Sequence, residues 1–405
     1  SASGDQILAY QGDRTSPLFI CGISSGGWLS TGNVNSNTSY LPPTLTLYTN
    51  TLGFTSETDN GYYSGPQTAT TEALRALLNF PANYTRSNEI ILFPSWAFPL
   101  GILTNIDSNS EVQDISILPA QSLSINAGKW FTVHGNLSNN NGTGGLIIKS
   151  DPSGTGSLIH NTDAVEATIQ RYISGDPEPD NHYYHLVSVP LMQSGSIVSG
   201  LFSGSYMFKF NESANTPNTL WTPLGNTGVT PLSVNQGYRL YYPSGSGVTY
   251  NHAGLLNNGT FGVPVYHTDD AHGFNLVPNP YPSAINWDAV SGWLRPSLAG
   301  AIWTWEQNSG NYAAYVNGVS TLSGTPVIPA GQSFFVQSVS DQPFSMNNNV
   351  RVHSNELFTK QSNAAENTLR LNIEASTYND EIVLRFNGTA TADYDLDWDA
   401  RKLTG

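Results

Sequence analysis

Two tryptophans stand two residues apart in Trp303-Thr304-Trp305, and a Gln-Asn-Ser-Gly turn separates them from Tyr312 and Tyr315. In an extended strand, residues i and i+2 share a face, so Trp303 and Trp305 would stand side by side. Rings paired this way can lie against the C–H faces of a pyranose, and Tyr312 and Trp287 extend the candidate platform for a glycan or surface polymer. The same rings would serve as the packing face of a sheet. Phe208 and Phe210 occupy matching places in an earlier stretch. A position that stays aromatic twice reads as core.

Asp393, Asp395, Asp397 and Asp399 alternate with Tyr394, Leu396 and Trp398. As a strand, this segment would carry four carboxylates on one face and a buried apolar row on the other. Calcium, a hard cation that takes oxygen ligands, would relieve the repulsion. A charged edge that resists strand-to-strand association needs no metal. Asp176, Glu178 and Asp180, set between prolines, form a second candidate calcium set. His267-Thr268-Asp269-Asp270-Ala271-His272 gathers donors that zinc and nickel accept, without the helical spacing of HExxH, and reads first as a polar loop. There is no phosphate-binding loop and no dinucleotide fingerprint. No catalytic residue can be named, although carboxylate pairs distant in sequence stay open for glycoside hydrolysis.

These residues must be positioned by a strand-rich scaffold. The second half of the chain repeats itself: Leu186 and Leu276 lie 90 residues apart, Phe208 and Trp303 95, and Tyr238 and Phe334 96. Three matches in one order at nearly constant offset indicate a duplicated unit. With 405 residues, 38 Gly and 24 Pro, the chain fits several modules of short strands joined by turns. The expected fold is all-β. Residues 1–104 read as a β-rich module with one helix at 71–80, which Thr70 or Thr71 caps and Pro81 stops. Residues 105–168 read as a short β-solenoid or meander, and 169–183 as a proline-spaced linker. The repeat units fall at 184–268 and 269–350, followed by strands in 351–405 that complete the repeat domain. The lone cysteine, Cys21, cannot form an internal disulfide and reads as a small buried hydrophobe. The net charge of −15 argues against nucleic acid and anionic membranes as partners. No run is long and apolar enough to insert in a membrane.

Several segments resemble a known group. Asn279-Pro280-Tyr281-Pro282-Ser283-Ala284-Ile285-Asn286-Trp287-Asp288, Pro329-Ala330-Gly331-Gln332-Ser333-Phe334-Phe335-Val336 and Asn379-Asp380-Glu381-Ile382-Val383-Leu384-Arg385-Phe386 are similar to signatures of large secreted surface proteins of Bacteroidota. Val187-Ser188-Val189-Pro190 departs from the usual pattern of the first repeat. The resemblance implies an extracellular or cell-surface, modular β-protein carried by the type IX secretion system. It would engage the outer-membrane machinery through a C-terminal sorting domain outside these residues. It implies no reaction. The expected function is therefore a non-catalytic adhesin-type binding protein, with glycan as a candidate ligand. The alternative is the accessory region of a secreted hydrolase whose catalytic domain lies elsewhere.

Overall fold

The computed structural model describes residues 6–13, 15–35, 38–58, 60–66, 71–88, 105–176, 183–192, 197–198, 202–214, 219–225, 231–269, 272–307, 309–354, 367–375 and 378–403. Strands dominate these residues and the fold is all-β. The chain forms two compact units, Ser1–Leu103 and Thr104–Gly405.

In the first unit, β1 (Gln6–Gln11) and β2 (Leu18–Ser24) form an antiparallel hairpin, and β3 (Thr51–Gly53) adds to β2 in parallel. A second hairpin joins β4 (Asn60–Tyr63) to β5 (Tyr84–Ser87), with α1 (Thr71–Leu78) between them. Cys21 is exposed rather than buried. It lies opposite Ala9 on the outward face of the hairpin, while the other face, at Gly22, comes down on Trp28.

The second unit begins with parallel coils. The strands β6 (Asn105–Ile106), β7 (Ser110–Val112), β8 (Ile115–Ile117), β9 (Leu123–Ile125), β10 (Trp130–Val133), β11 (Leu137–Asn139), β12 (Leu146–Ile148) and β13 (Ser157–Ile159) stack into three parallel ladders. Register places Ile106, Ile125, Ile148 and Ile169 in one inward column, all buried. Alternation explains this column: every second residue of each short strand points inward, and those positions are aliphatic. The last parallel strand, β14 (Glu166–Ile173), then pairs antiparallel with a strand of the repeat region (Val248–Leu256), so the solenoid and the first repeat share a sheet.

In the first repeat, β15 (Tyr184–Val187), β16 (Tyr206–Phe210), β17 (Trp221–Gly225) and β18 (Tyr238–Tyr241) precede β19 (Val248–Leu256). Their sheet runs β15-β18-β16-β17. In the second repeat, β20 (Phe274–Pro278), β21 (Leu298–Glu306), β22 (Asn311–Val316) and β23 (Ser333–Ser338) run β20-β23-β21-β22. The two orders are the same, and so are the registers. Leu186 faces Arg239 and Val187 faces Tyr238; Leu276 faces Phe335 and Val277 faces Phe334. Phe208 faces Arg239 as Trp303 faces Phe335, and Phe210 faces Trp221 as Trp305 faces Tyr312.

The two sheets pack face to face. Leu186, Phe210 and Trp221 meet Leu276, Trp303, Tyr312 and Phe335 in one core. Phe210 and Phe335 are 4.8 Å apart edge to face. The opposite face of the first sheet, with Val187, Met207, Tyr238 and Leu240, packs with the solenoid aliphatics. The opposite face of the second, with Val277, Ile302, Phe334 and Val336, packs on Tyr281, Trp287 and Phe344. The terminal hairpin, β24 (Thr368–Ala375) with β25 (Tyr378–Arg385), is tied to the β22 region through Arg370, which bonds Ser320 O, and Glu381, which accepts from Leu322 N–H.

Equivalent residues of the two copies touch at Gly237 and Ser333. A Cβ on Gly237 would lie 2.5 Å from Ser333 Cβ and 2.7 Å from Leu276 Cγ, and the Gly237 N–H donates to Leu276 O. Any side chain here forces the sheets apart. Gly237→Ala should cost about 1–3 kcal/mol, as overpacking of a filled interior does. A urea-unfolding midpoint for the second unit equal to that of the parent chain would contradict this contact.

Candidate ligand cleft

Of the four aromatics expected to form a platform, three are core. Trp303 is 1% exposed, Trp287 2% and Tyr312 6%. The Trp303 Nε1–H donates to Arg401 O at 3.0 Å and the Trp287 Nε1–H to Gly300 O at 2.7 Å, which satisfies each buried indole. The reason is the duplication. Trp303 and Tyr312 belong to the face that packs against the other copy, and Trp287 sits under the opposite face.

Trp305 differs. It is half-buried, lies 5.0 Å edge-on from Tyr312, and its buried Nε1–H finds no partner among the described residues. It lines a cleft of about 290 Å³ where the solenoid, β14–β15 and the second repeat converge. Gln332, 1% exposed, lines the same cleft, and its Oε1 likewise has no partner among the described residues. A buried donor and a buried acceptor are thus left open around one cavity. Each such group costs about 1–3 kcal/mol unless something bonds it.

Arg171 forms part of the cleft wall and is buried, its Nη1 donating to Thr155 Oγ1 at 3.1 Å and Ala330 O at 3.0 Å. Burial lowers its pKa to about 9, so it remains a cation at neutral pH. His185 also lines the cleft, with Nε2 3.0 Å from Ser174 O. Burial depresses its pKa to about 4, with the nearby Arg171 charge a lesser cause, so the ring is neutral. Tyr183 and Tyr184 add aromatic surface, and Ser157 a hydroxyl. The Ser157 Oγ is 2.8 Å from His353 Nδ1, and the Nε2 of that ring is 2.7 Å from Thr132 Oγ1. No carboxylate bonds this imidazole among the described residues, so the orienting acid of a nucleophilic triad is missing. The ring stacks on Trp130 and fastens the segment after the second repeat onto the solenoid coils.

The acidic candidates are not brought together. Asp393–Asp399 is a turn rather than a strand: the Asp395 N–H donates to Asp399 Oδ2 and the Asp397 N–H to Asp395 Oδ1. Aspartates compete well for nearby backbone N–H groups, and here that local bonding wins over strand pairing. Trp398, expected inside, is 42% exposed. Asp176 is buried, while Glu178 and Asp180 lie outside the described residues. His267 Nδ1 bonds Ser338 O and His272 Nδ1 bonds Asp269, in a loop held by Glu212, which accepts from Thr268 and Gly273. Among the described residues, no three His, Cys, Asp or Glu side chains are arranged to hold a metal ion. Among the described residues, Asp393–Asp399 therefore shows no calcium-binding geometry; the set of Asp176, Glu178 and Asp180 lies partly outside them.

Sequence reasoning found Trp305 but missed Gln332, Arg171 and His185. The available signal was a glutamine that recurs in both copies, Gln236 and Gln332, just before an apolar strand.

Residues 81–405 match the family described as Domain of unknown function (DUF8693), and the chain belongs to that family. No curated protein matches the chain, and no solved structure does.

Core and cleft roles separate by mutation. Trp303→Ala should lower stability by about 3–5 kcal/mol through the cavity it leaves. A variant that melts with the parent would mean the ring is not packed as described.

Acid should destabilise the second unit. His185 and His252 are buried and neutral, each with its pKa lowered to about 4, desolvation being the main cause. Between pH 6.5 and 4 the unfolded chain takes up protons that the folded chain refuses. Stability present above pH 6.5 is therefore lost as pH falls through this window, by up to about 1.4 kcal/mol per pH unit for each ring. The His252 ring packs against Phe202, and neither nitrogen has a partner among the described residues. His252→Leu should flatten the slope of unfolding free energy against pH. An unchanged slope would rule out His252 as a contributor.

Proposed function

We propose that this chain is a non-catalytic binding module of a secreted, cell-surface protein and that it takes a glycan at the Trp305 cleft. The observation that carries the reading is that two residues lining one cavity, Trp305 and Gln332, each hold a buried polar atom, Nε1–H and Oε1, with no partner among the described residues. A sugar hydroxyl both donates and accepts, so a polyhydroxylated ligand that displaces the side chains covering these atoms is chemically matched to both. Tyr183, Tyr184 and the Trp305 ring offer apolar surface for C–H faces. The resemblance of Asn279–Asp288 and the neighbouring segments to type IX secretion cargo of Bacteroidota supports the extracellular setting. The net charge of −15 fits a chain that avoids polyanions.

The test separates binding from folding. Trp305→Phe keeps a ring, removes a donor with no partner among the described residues, and gives up part of the indole's packing area. The lost N–H and the lost area act in opposite directions, so its melting temperature should stay close to that of the parent. Glycan retention should fall by about 1–3 kcal/mol, the typical worth of a buried contact at a binding hot spot. Gln332→Leu should behave alike on a glycan array. If the parent chain retains no glycan, or both variants retain it fully, the reading is wrong.

A further inference from the structure

The Trp305 cleft has a counterpart that the duplication builds. A second cleft, of about 520 Å³, lies between the same two sheets. Six of its lining positions repeat positions of the first cleft with the copies exchanged, while the solenoid wall of the first cleft has no counterpart in the second. The first takes His185 and Leu186 from copy one, and Trp305, Gln307, Pro329 and Gln332 from copy two. The second takes Asn275 and Leu276 from copy two, and Phe210, Glu212, Ser233 and Gln236 from copy one. The strand registers make His185 and Leu186 the equivalents of Asn275 and Leu276, and Trp305 that of Phe210; Gln307, Pro329 and Gln332 match Glu212, Ser233 and Gln236 by the nearly constant sequence offset. Both clefts are therefore products of one near-two-fold arrangement, whose closest contact is Gly237 against Ser333.

We infer that the second cleft is a second saccharide site, so that one chain binds two sugar residues; this rests on the glycan reading of the first cleft. The substitutions between the clefts set its chemistry. Phe210 supplies a ring without the N–H of Trp305, and Tyr266, 60% exposed, adds an open aromatic surface on the cleft wall. Glu212 stands where the first cleft has Gln307, its carboxylate fixed by Thr268 and Gly273. Asp341 adds a second carboxylate, against a single cation, Lys209. Carboxylates accept from sugar hydroxyls and repel acidic sugars. The second cleft therefore takes an uncharged saccharide and excludes a uronic acid.

Saturation-transfer NMR on the full chain tests this with methyl glycosides of glucose, galactose, mannose, N-acetylglucosamine and glucuronic acid as probes. Trp305→Phe should keep roughly half of the signal of an uncharged glycoside, as one of two sites would. Tyr266→Ala should likewise keep a part, and the double variant should lose it all. The glucuronide should give no signal in Trp305→Phe. Tyr266 is largely exposed, so its variant should melt with the parent, which keeps the comparison sound. If Trp305→Phe alone abolishes every signal, the second site is refuted and the first stands. If Tyr266→Ala alone abolishes it, the first site fails and the second stands. Signal from no probe in the parent chain, or full signal in the double variant, overturns both.

Discussion

The close approach of Gly237 to Ser333 is the constraint on which the rest of the second unit depends. Sheets in a sandwich ordinarily lie about 10 Å apart with interdigitating side chains, and at Gly237 a missing Cβ lets the backbone lie directly against Ser333 and Leu276 of the other copy. Once the sheets are that close, the facing positions must fill the gap. Trp303, Tyr312 and Phe335 on one side and Phe210 and Trp221 on the other do so. Away from the contact the sheets diverge, and each end opens into a cleft walled by the first strand of one copy and the middle strands of the other. The sandwich and its clefts therefore have one cause.

That cause also explains which features could be read from sequence. The repeat was legible because packing constrains residue type at equivalent positions: Leu186 and Leu276, or Phe208 and Trp303, must stay apolar to bury the same face. The parallel coils were legible as short alternating strands between glycine and asparagine turns. The aromatic positions were legible as positions but not as roles, because period two assigns a shared face and does not say what covers it. Trp303 and Trp305 share a face, yet Trp303 lies in the core formed with the first copy, while Trp305 lines the cleft.

Other features were misread for local reasons. Asp393–Asp399 has a strand-like alternation, but consecutive aspartates can bond their own backbone, and a turn resulted. Cys21 sits in an apolar run, but a small sheet packed on one side leaves alternate apolar residues outside. Gln332 was marked only by its recurrence at Gln236 in the first copy, a pattern that does not reveal what the side chain faces. Its significance comes from Arg171 and Trp305, which lie far from it in sequence and reach the same cavity only after the solenoid has docked on the repeats.

The contrast among the indoles is the strongest guide to function. Trp287, Trp293 and Trp303 each donate to a backbone carbonyl, at Gly300, Asn286 and Arg401. Those three bonds cost the chain nothing that folding does not return, and they mark rings whose work is structural. Trp305 packs on the same core and shares its face with Trp303, yet its Nε1–H meets no carbonyl. A sequence selected for stability alone would tend to hold phenylalanine there, as the first copy does at Phe210. Keeping an indole whose donor is unsatisfied, beside a glutamine oxygen in the same condition, disfavours the free chain and favours a partner that supplies both bonds. On the proposed glycan reading, the asymmetry between Trp305 and Phe210 would give two clefts of common origin different polar groups with which to discriminate between ligands.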